Sequence, residues 1–318
     1  MMRLSPSKSA IAALAVGALS LSGTFLSEAQ AERYASIVVD ASTDTVLHAR
    51  HADAPRYPAS LTKVMTLYML FDELEAGRVS ASTMMAVSRN AASQPPSNLR
   101  LKRGDTISVH DAIHALITKS ANDVAVVVAE HIGGTEERFS ALMTVKAQSL
   151  GMANTRFFNA SGLPDTRQIS TARDMALLAE AIMEEHAGYY HYFSTREFRW
   201  GSRTYRNHNE LLGSVDGVDG LKTGYTRASG YNLMASAVRG DTRVITVMLG
   251  GRTSRARNAH VAELIEAAYQ SFAAPVTPGE SLQTHIAFES VRQPIDPDAA
   301  AIPTLNGKPF PVGEGDVQ

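Results

Sequence analysis

Three short motifs contain the residues that could do chemistry together. Ser60-Leu61-Thr62-Lys63 sets a hydroxyl and an amine at an i, i+3 offset, Ser120-Ala121-Asn122 sets a second hydroxyl near an amide, and Lys222-Thr223-Gly224 sets a second amine beside another hydroxyl. A serine hydroxyl is a poor nucleophile at neutral pH unless a base within hydrogen-bond reach takes its proton. Lys63 is the candidate base for Ser60, because on a helix the i, i+3 offset brings both side chains to one face. An amine acts as a base only when burial and a second cation lower its pKa, and Lys222 is the candidate second cation. A helix start also directs backbone N–H groups toward a reacting carbonyl, where negative charge develops. Ser-x-x-Lys alone is a weak signal, and Ser5-Pro6-Ser7-Lys8 is a chance instance of it. The order nucleophile, second serine, lysine strand carries the weight.

The surrounding pattern predicts the elements that must position these groups. Ala35 to Ala49 alternates around Ile37, Val38, Val39, Val46 and Leu47, with turn chemistry from Asp40 to Asp44, and reads as a hairpin. Leu61 to Leu74 carries apolar residues on most helix faces, the pattern of a buried helix with Ser60 and Lys63 at its start. Between Ile107 and Gly134 two short helices are expected. Ser108 and Asp111 box the start of Ala112 to Ile117, and Asp123 opens Val124 to Ile132, so Ser120-Ala121-Asn122 falls in the break. Further helices are read at Arg138 to Leu150, Thr171 to Ile182 and Asn258 to Phe272. Period-two strands are read at Leu221 to Thr226, Asn232 to Val238 and Val244 to Leu249, with Gly240-Asp241 as a tight turn. Strands, a helical block, strands again and a closing helix predict α+β, the first and last strands completing one antiparallel sheet. On a strand edge, Lys222 and Thr223 offer an ammonium and a hydroxyl to a terminal carboxylate. Gly224 leaves room for a substrate backbone, and an extended peptide can pair with the edge.

Other chemistries find little support. The chain has no Gly-x-Ser-x-Gly elbow, Gly-x-Gly-x-x-Gly loop or His-Glu-x-x-His pair. His110 and His114 stand one helical turn apart, but the sequence places no third ligand with them, so no metal site is assigned. The 12 methionines, Met65, Met69 and Met84-Met85 among them, read as core filler. With 0 cysteines, disulfides and thiolate sites are excluded. A formal net charge of −2 and the absence of a basic run argue against a nucleic-acid partner.

The flanks of the motifs carry a resemblance. Tyr57-Pro58-Ala59-Ser60-Leu61-Thr62-Lys63-Val64-Met65-Thr66 and Val218-Asp219-Gly220-Leu221-Lys222-Thr223-Gly224, followed by Gly230-Tyr231-Asn232-Leu233, resemble the low-molecular-mass penicillin-binding proteins of the D-alanyl-D-alanine carboxypeptidase family. The likeness runs from about Tyr34 to Phe272. It implies the penicillin-binding protein/β-lactamase-like fold, an antiparallel sheet flanked by helices with a helical subdomain. It also implies a serine-type carboxypeptidase that removes the terminal D-alanine of peptidoglycan stem peptides through an acyl-enzyme on Ser60, with β-lactam antibiotics as inhibitors and no cofactor. Ser60, Lys63 and Ser120 are then the catalytic residues, Ser120 relaying a proton between Lys63 or Lys222 and the leaving amine. Asn122 is expected to hold the substrate's amide backbone, alongside Lys222, Thr223, Gly224 and Arg257 as binding residues. In the family an arginine after the second-to-last core strand helps bind the terminal carboxylate. Arg257 is the candidate, with Arg252 and Arg255 close by.

One loop departs from the family. In Asn159-Ala160-Ser161-Gly162-Leu163-Pro164-Asp165, Ser161 stands where some members carry a histidine, so no deacylation residue is assigned. A D,D-endopeptidase that cleaves peptidoglycan crosslinks and a non-catalytic peptidoglycan-binding protein are the alternatives. A β-lactamase fits less well, because its loop with a hydrolytic glutamate is not recognisable between Ser120 and Lys222.

Residues 1–31 read as a cleaved secretory signal: Arg3 and Lys8 give a basic start, Ala10 to Leu21 an apolar stretch, and Ala29-Gln30-Ala31 a cleavage site. Export to the periplasm is expected, with residues 32–272 forming the catalytic domain and 273–318 a short Pro-rich tail. From Pro294 to Gln318 the tail sets Asp296, Asp298, Glu314 and Asp316 against Lys308 and has no apolar face, so no stable membrane anchor is expected.

Overall fold

Strands covered on both faces need apolar residues at nearly every position, and the central strands of this chain have them. In the computed structural model, residues 33–273 are described; the signal segment 1–31 and all of the expected tail beyond Ala273 lie outside the described residues. Strands β1 (Ala35–Asp40), β2 (Thr45–Arg50), β7 (Val218–Thr226), β8 (Gly230–Arg239) and β9 (Thr242–Gly251) form an antiparallel sheet in the order β2-β1-β9-β8-β7. The first hairpin and the last three strands thus meet through the β1–β9 pair, in register from Ala35↔Leu249 to Asp40↔Val244. Alternation sorts the side chains: Ile37, Val39, Met234, Ile245 and Val247 enter one core, whereas Val38, Leu233, Ala235, Val244 and Met248 enter the other.

A helix covers each face. The C-terminal helix α8 (Ser254–Ala273) lays Val261, Leu264, Ile265 and Ala268 on the smaller core. Each fully buried Val or Ile there contributes about 1.5–3 kcal/mol. Helix α6 (Ala172–Glu185) packs against β1 and β9 from the other side, its first turn capped by the Thr171 hydroxyl accepting from Asp174 N at 3.0 Å. Beyond α6 lies the helical part of the larger core. Helix α1 (Thr62–Glu75) is buried at every position from Thr62 to Phe71, as its all-round apolar pattern requires. Helices α4 (Asn122–Gly133) and α5 (Glu136–Ser149) pack with it.

Several elements differ from expectation. The helix read as Ala112 to Ile117 begins as α3 (Val109–His114), capped by Ser108 as the sequence indicated, and continues through a π turn to Lys119. Two small hairpins lie outside the expected set: β3 (Met84–Ala86) with β4 (Thr106–Ser108), and β5 (Glu197–Trp200) with β6 (Arg203–Arg206). Their short strands are partly or mostly exposed, so they lack the long apolar runs of the main sheet. Three short helical pieces, α2 (Arg89–Ala92), α7 (Ala187–Tyr190) and a 3₁₀ turn at His191–Ser194, complete the set.

Candidate active site

Ser60 stands in a single 3₁₀ turn, Ala59–Leu61, that leads directly into α1. Neighbouring elements clamp this turn. Asn232 of β8 is fully buried; its Nδ2 donates to the carbonyls of Tyr57 at 3.0 Å and Pro58 at 3.1 Å, and its Oδ1 accepts from Gly250 N at 3.0 Å. Two glycines permit the close approach. A Cβ on Gly224 would lie 3.0 Å from both the Pro58 carbonyl oxygen and Ser60 N. The clearance expected of Gly224 for a substrate is therefore first a clearance for the nucleophile turn. Gly162 has φ +82° and lies against the Ala59 carbonyl, where a Cβ would fall only 1.8 Å from the oxygen.

Lys63, one turn further on, is 0% exposed. Its Nζ donates to Ser60 Oγ at 3.2 Å, to Asn122 Oδ1 at 2.8 Å and to the Ser161 carbonyl at 2.5 Å. The last two partners can only accept. A neutral lysine, with two N–H groups and one lone pair, keeps both N–H groups on those oxygens and turns the lone pair to the Ser60 hydroxyl. Burial, then the Lys222 charge, pushes the Lys63 pKa well below the usual lysine range, against a smaller opposing effect of Asp123. These are the conditions that a lysine base requires.

Ser120 is reached by the end of the π turn, with φ 56° and ψ 43° in the left-handed region. That conformation is uncommon for a residue with a Cβ and is held where surrounding structure over-determines it. The anchor is visible: Asp123, 1% exposed, accepts from Leu99 N, Leu101 N and Val124 N at 2.9–3.1 Å, and Asn122 N donates to the Ser97 carbonyl at 2.7 Å. Ser120 Oγ is buried and has no hydrogen-bond partner among the described residues. Asn122, expected to hold a substrate amide, has both ends engaged, its Oδ1 by Lys63 and its Nδ2 by the Pro95 carbonyl at 2.9 Å. In this state it positions the lysine.

Lys222, Thr223 and Gly224 lie on β7, which is an edge of the sheet as predicted. Lys222 is 1% exposed, its Nζ bonded to the Thr223 carbonyl at 2.9 Å, and burial followed by the Arg257 charge lowers its pKa to about 7. Arg257 follows the last core strand rather than the second-to-last: it lies in the first turn of α8 and is 4% exposed. Ser60, Ser120, Asn122, Thr223, Gly224 and Arg257 line one cleft of about 730 Å³. Arg252 is not on its lining. His208 and Glu210 are, and neither belongs to a motif that the sequence makes visible. His208 has a lowered pKa, through partial burial of the ring and then Lys222, Lys119, Arg257 and Lys63. Among the described residues no group of three or more His, Cys, Asp and Glu could hold a metal ion. His110 and His114, ring centres 4.6 Å apart, pack instead with Tyr192 and Phe198.

The family model described as D-alanyl-D-alanine carboxypeptidase matches residues 23–253. The chain belongs to that family. The D-alanyl-D-alanine carboxypeptidase DacC of Escherichia coli is 37% identical over 257 residues, spanning 78% of this chain and 64% of the relative. DacF of Bacillus subtilis is 33% identical over 258 residues, spanning 79% of this chain and 65% of the relative. The chain thus spans just under two thirds of the length of these curated relatives. Among solved structures, penicillin binding protein 6B from Escherichia coli superposes with TM-score 0.71 at 35% identity, covering 74% of this chain and 77% of that one. Penicillin-Binding Protein D2 from Listeria monocytogenes, in its cefotaxime-bound form, gives 0.67 at 31% identity over 74% of this chain and 96% of that one. The fold is accordingly that of the penicillin-binding proteins, an antiparallel sheet flanked by helices. Ser161 contributes its backbone carbonyl, the acceptor for Lys63.

Proposed function

We propose that this protein is a serine-type D-alanyl-D-alanine carboxypeptidase that removes the terminal D-alanine of peptidoglycan stem peptides. The observation that carries the reading is the Lys63 amine, buried, depressed in pKa and within hydrogen-bond distance of Ser60 Oγ. The peptide lies extended along the β7 edge, its terminal carboxylate toward Lys222, Thr223 and Arg257. Lys63 takes the Ser60 hydroxyl proton as Oγ attacks the penultimate carbonyl, forming the C–O bond. Developing oxyanion charge meets the backbone N–H of Ser60 at the start of the helical run. As the C–N bond breaks, the proton returns through Ser120 to the departing amine, leaving an ester on Ser60. Water then hydrolyses that ester with the proton passing back along the same groups.

β-Lactams are the expected covalent inhibitors, since their ring amide presents the same carbonyl and carboxylate. The enzyme is read as exported to the periplasm by residues 1–31, with 32–272 as the catalytic domain and 273–318 as an appended tail. Among the described residues no helix is long and apolar enough to cross a membrane.

Fluorescent penicillin labelling and D-alanine release from a pentapeptide test the reading. Both are expected in wild type, and both are expected to vanish in Ser60→Ala with the fold intact, because the hydroxyl is the atom that forms the bond. Splitting of crosslinked dimers without release from pentapeptide assigns the same machinery to a D,D-endopeptidase. Labelling that persists in Ser60→Ala removes the assignment of the nucleophile.

A further inference from the structure

Arg257 is only 4% exposed, and what holds its guanidinium lies outside the motifs. Its Nε and Nη2 donate to Asn258 Oδ1 at 3.0 and 2.6 Å, and its Nη1 donates to the Asn232 carbonyl at 3.4 Å. Residues adjacent in a helix do not face each other, so the contact between Arg257 and Asn258 needs a third group to fix the amide. Glu210 supplies it: Asn258 Nδ2 donates to Glu210 Oε2 at 2.7 Å. A carboxylate only accepts. Glu210 therefore takes the NH2 end of the Asn258 amide and leaves the oxygen end for Arg257.

The position of Glu210 is itself fixed, although its side chain is exposed. It sits between two buried residues, Asn209 at 2% and Leu211 at 4% exposure. Asn209 ties this segment to the lysine strand, its Nδ2 donating to the Gly220 carbonyl at 3.0 Å and its Oδ1 accepting from Leu211 N at 3.2 Å. Glu210 and Arg257 both line the cleft. Three of the five guanidinium N–H groups are thus directed at protein acceptors, which leaves two for an anion in the cleft.

We propose that Glu210 and Asn258 form a positioning relay that orients Arg257 toward the terminal carboxylate of the substrate, making carboxylate recognition depend on a residue that does not touch it. The inference rests on the carboxypeptidase reading above. Loss of the relay leaves the nucleophile and its base in place, so its effect falls on substrates that carry the carboxylate. Burial lowers the Arg257 pKa to about 10, and the nearby Glu210 and then Tyr231 oppose that shift.

The test compares kcat/KM for a D-alanyl-D-alanine peptide with that for the same peptide ending in a carboxamide, in wild type, Glu210→Ala, Glu210→Gln and Asn258→Leu. In Glu210→Ala and Asn258→Leu the preference for the carboxylate is expected to fall about tenfold, through KM rather than kcat, as for loss of uniform binding. Glu210→Gln, whose amide oxygen can still accept from Asn258, is expected to stay within about threefold of wild type. Thermal midpoints are measured alongside to show that each variant is folded. An unchanged preference in folded Glu210→Ala overturns the relay. An equal loss in Glu210→Gln also overturns it, since the effect is then one of charge and not of amide orientation. A wild-type protein that neither binds penicillin covalently nor releases D-alanine instead removes the carboxypeptidase reading, so the two failures are distinct.

Discussion

Lys63 and Lys222 are both buried, and the hydrogen bonds of both go to neutral oxygens: Lys63 to Ser60, Asn122 and Ser161, Lys222 to the Thr223 carbonyl. Each lysine lies in a setting that disfavours its charge. After burial, Lys222 has the largest effect on Lys63, and Arg257 the largest on Lys222. The site is a chain of three basic groups, running from Arg257 on the cleft lining through Lys222 to Lys63 beside Ser60. On the carboxypeptidase reading, an arriving carboxylate stabilises charge on Lys222 and Arg257, and a charged Lys222 favours the unprotonated form of Lys63.

This coupling gives the acylation rate a particular pH dependence. The rate declines on acidification as Lys63 takes up a proton, because a base must be unprotonated to act. In Lys222→Ala the pKa of Lys63 rises toward the usual lysine range, so the acidic limb moves to higher pH. Rates of penicillin acylation against pH in the two proteins provide the measurement. A limb that stays in place when Lys222 is removed shows that the second cation does not tune the base.

Gly162→Ala should disable the nucleophile without touching a catalytic side chain. At φ +82° any Cβ is strained, and this one would meet the Ala59 carbonyl at 1.8 Å, pushing on the turn that carries Ser60. A displacement of that turn by about 1 Å is expected to slow acylation on the order of 10²-fold. Circular dichroism and the thermal midpoint establish that the variant is folded. A folded Gly162→Ala protein that acylates at the wild-type rate shows that the loop yields instead of the turn.

The chemistry is more legible in the sequence than its supports are. Ser60, Lys63 and Lys222 stand out because their types and order are rare together, and the main strands because their period-two stretches lie between turn residues. Asn232 and Asp123 do not stand out as anchors: each is a polar residue whose partners, Tyr57 and Pro58 or Leu99 and Leu101, are far off in the chain. The β5–β6 hairpin does leave a signal, since Gly201-Ser202 is a two-residue turn that follows the alternating run Glu197–Trp200. The left-handed Ser120 and the crowding at Gly162 depend on contacts between loops, for which local propensity carries no information.

Asp123→Ala is expected to be among the more destabilising changes in the helical part. The carboxylate, 1% exposed, accepts from three backbone N–H groups, at Leu99, Leu101 and Val124. Each buried donor left without a partner costs about 1–3 kcal/mol, so the loss should be at least about 3 kcal/mol in urea unfolding at unchanged slope. The segment it holds includes Ser97, whose hydroxyl donates to the Lys119 carbonyl at 2.8 Å next to Ser120, so acylation should slow as well. A loss below about 1 kcal/mol would mean that the loop finds other partners.

The far end of α1 holds a second charged cluster, and it should make stability pH-dependent. His186, 1% exposed in its side chain, lies 3.2 Å from Asp72 and 3.0 Å from Glu75, in ion pairs whose N–H groups are not aligned for regular hydrogen bonds. The edges of Tyr68 and Phe71 flank the ring, with centroids at 4.5 and 5.7 Å, and Tyr68 donates to Glu185. Burial opposes the imidazolium, but Asp72 and Glu75 outweigh it, so the His186 pKa is raised above its usual value. Burial likewise opposes ionisation of Asp72, and here His186 and Lys146 win, holding its carboxyl below the usual range. A raised histidine pKa means that the folded state binds more protons. The stabilisation is therefore full below the unfolded histidine pKa of about 6.5 and is lost as pH rises through the folded value. The gap in thermal midpoint between wild type and His186→Gln should be wider at pH 5.5 than at pH 9. A gap that is constant, or wider at pH 9, would show that His186 stabilises α1 as a neutral ring by packing alone.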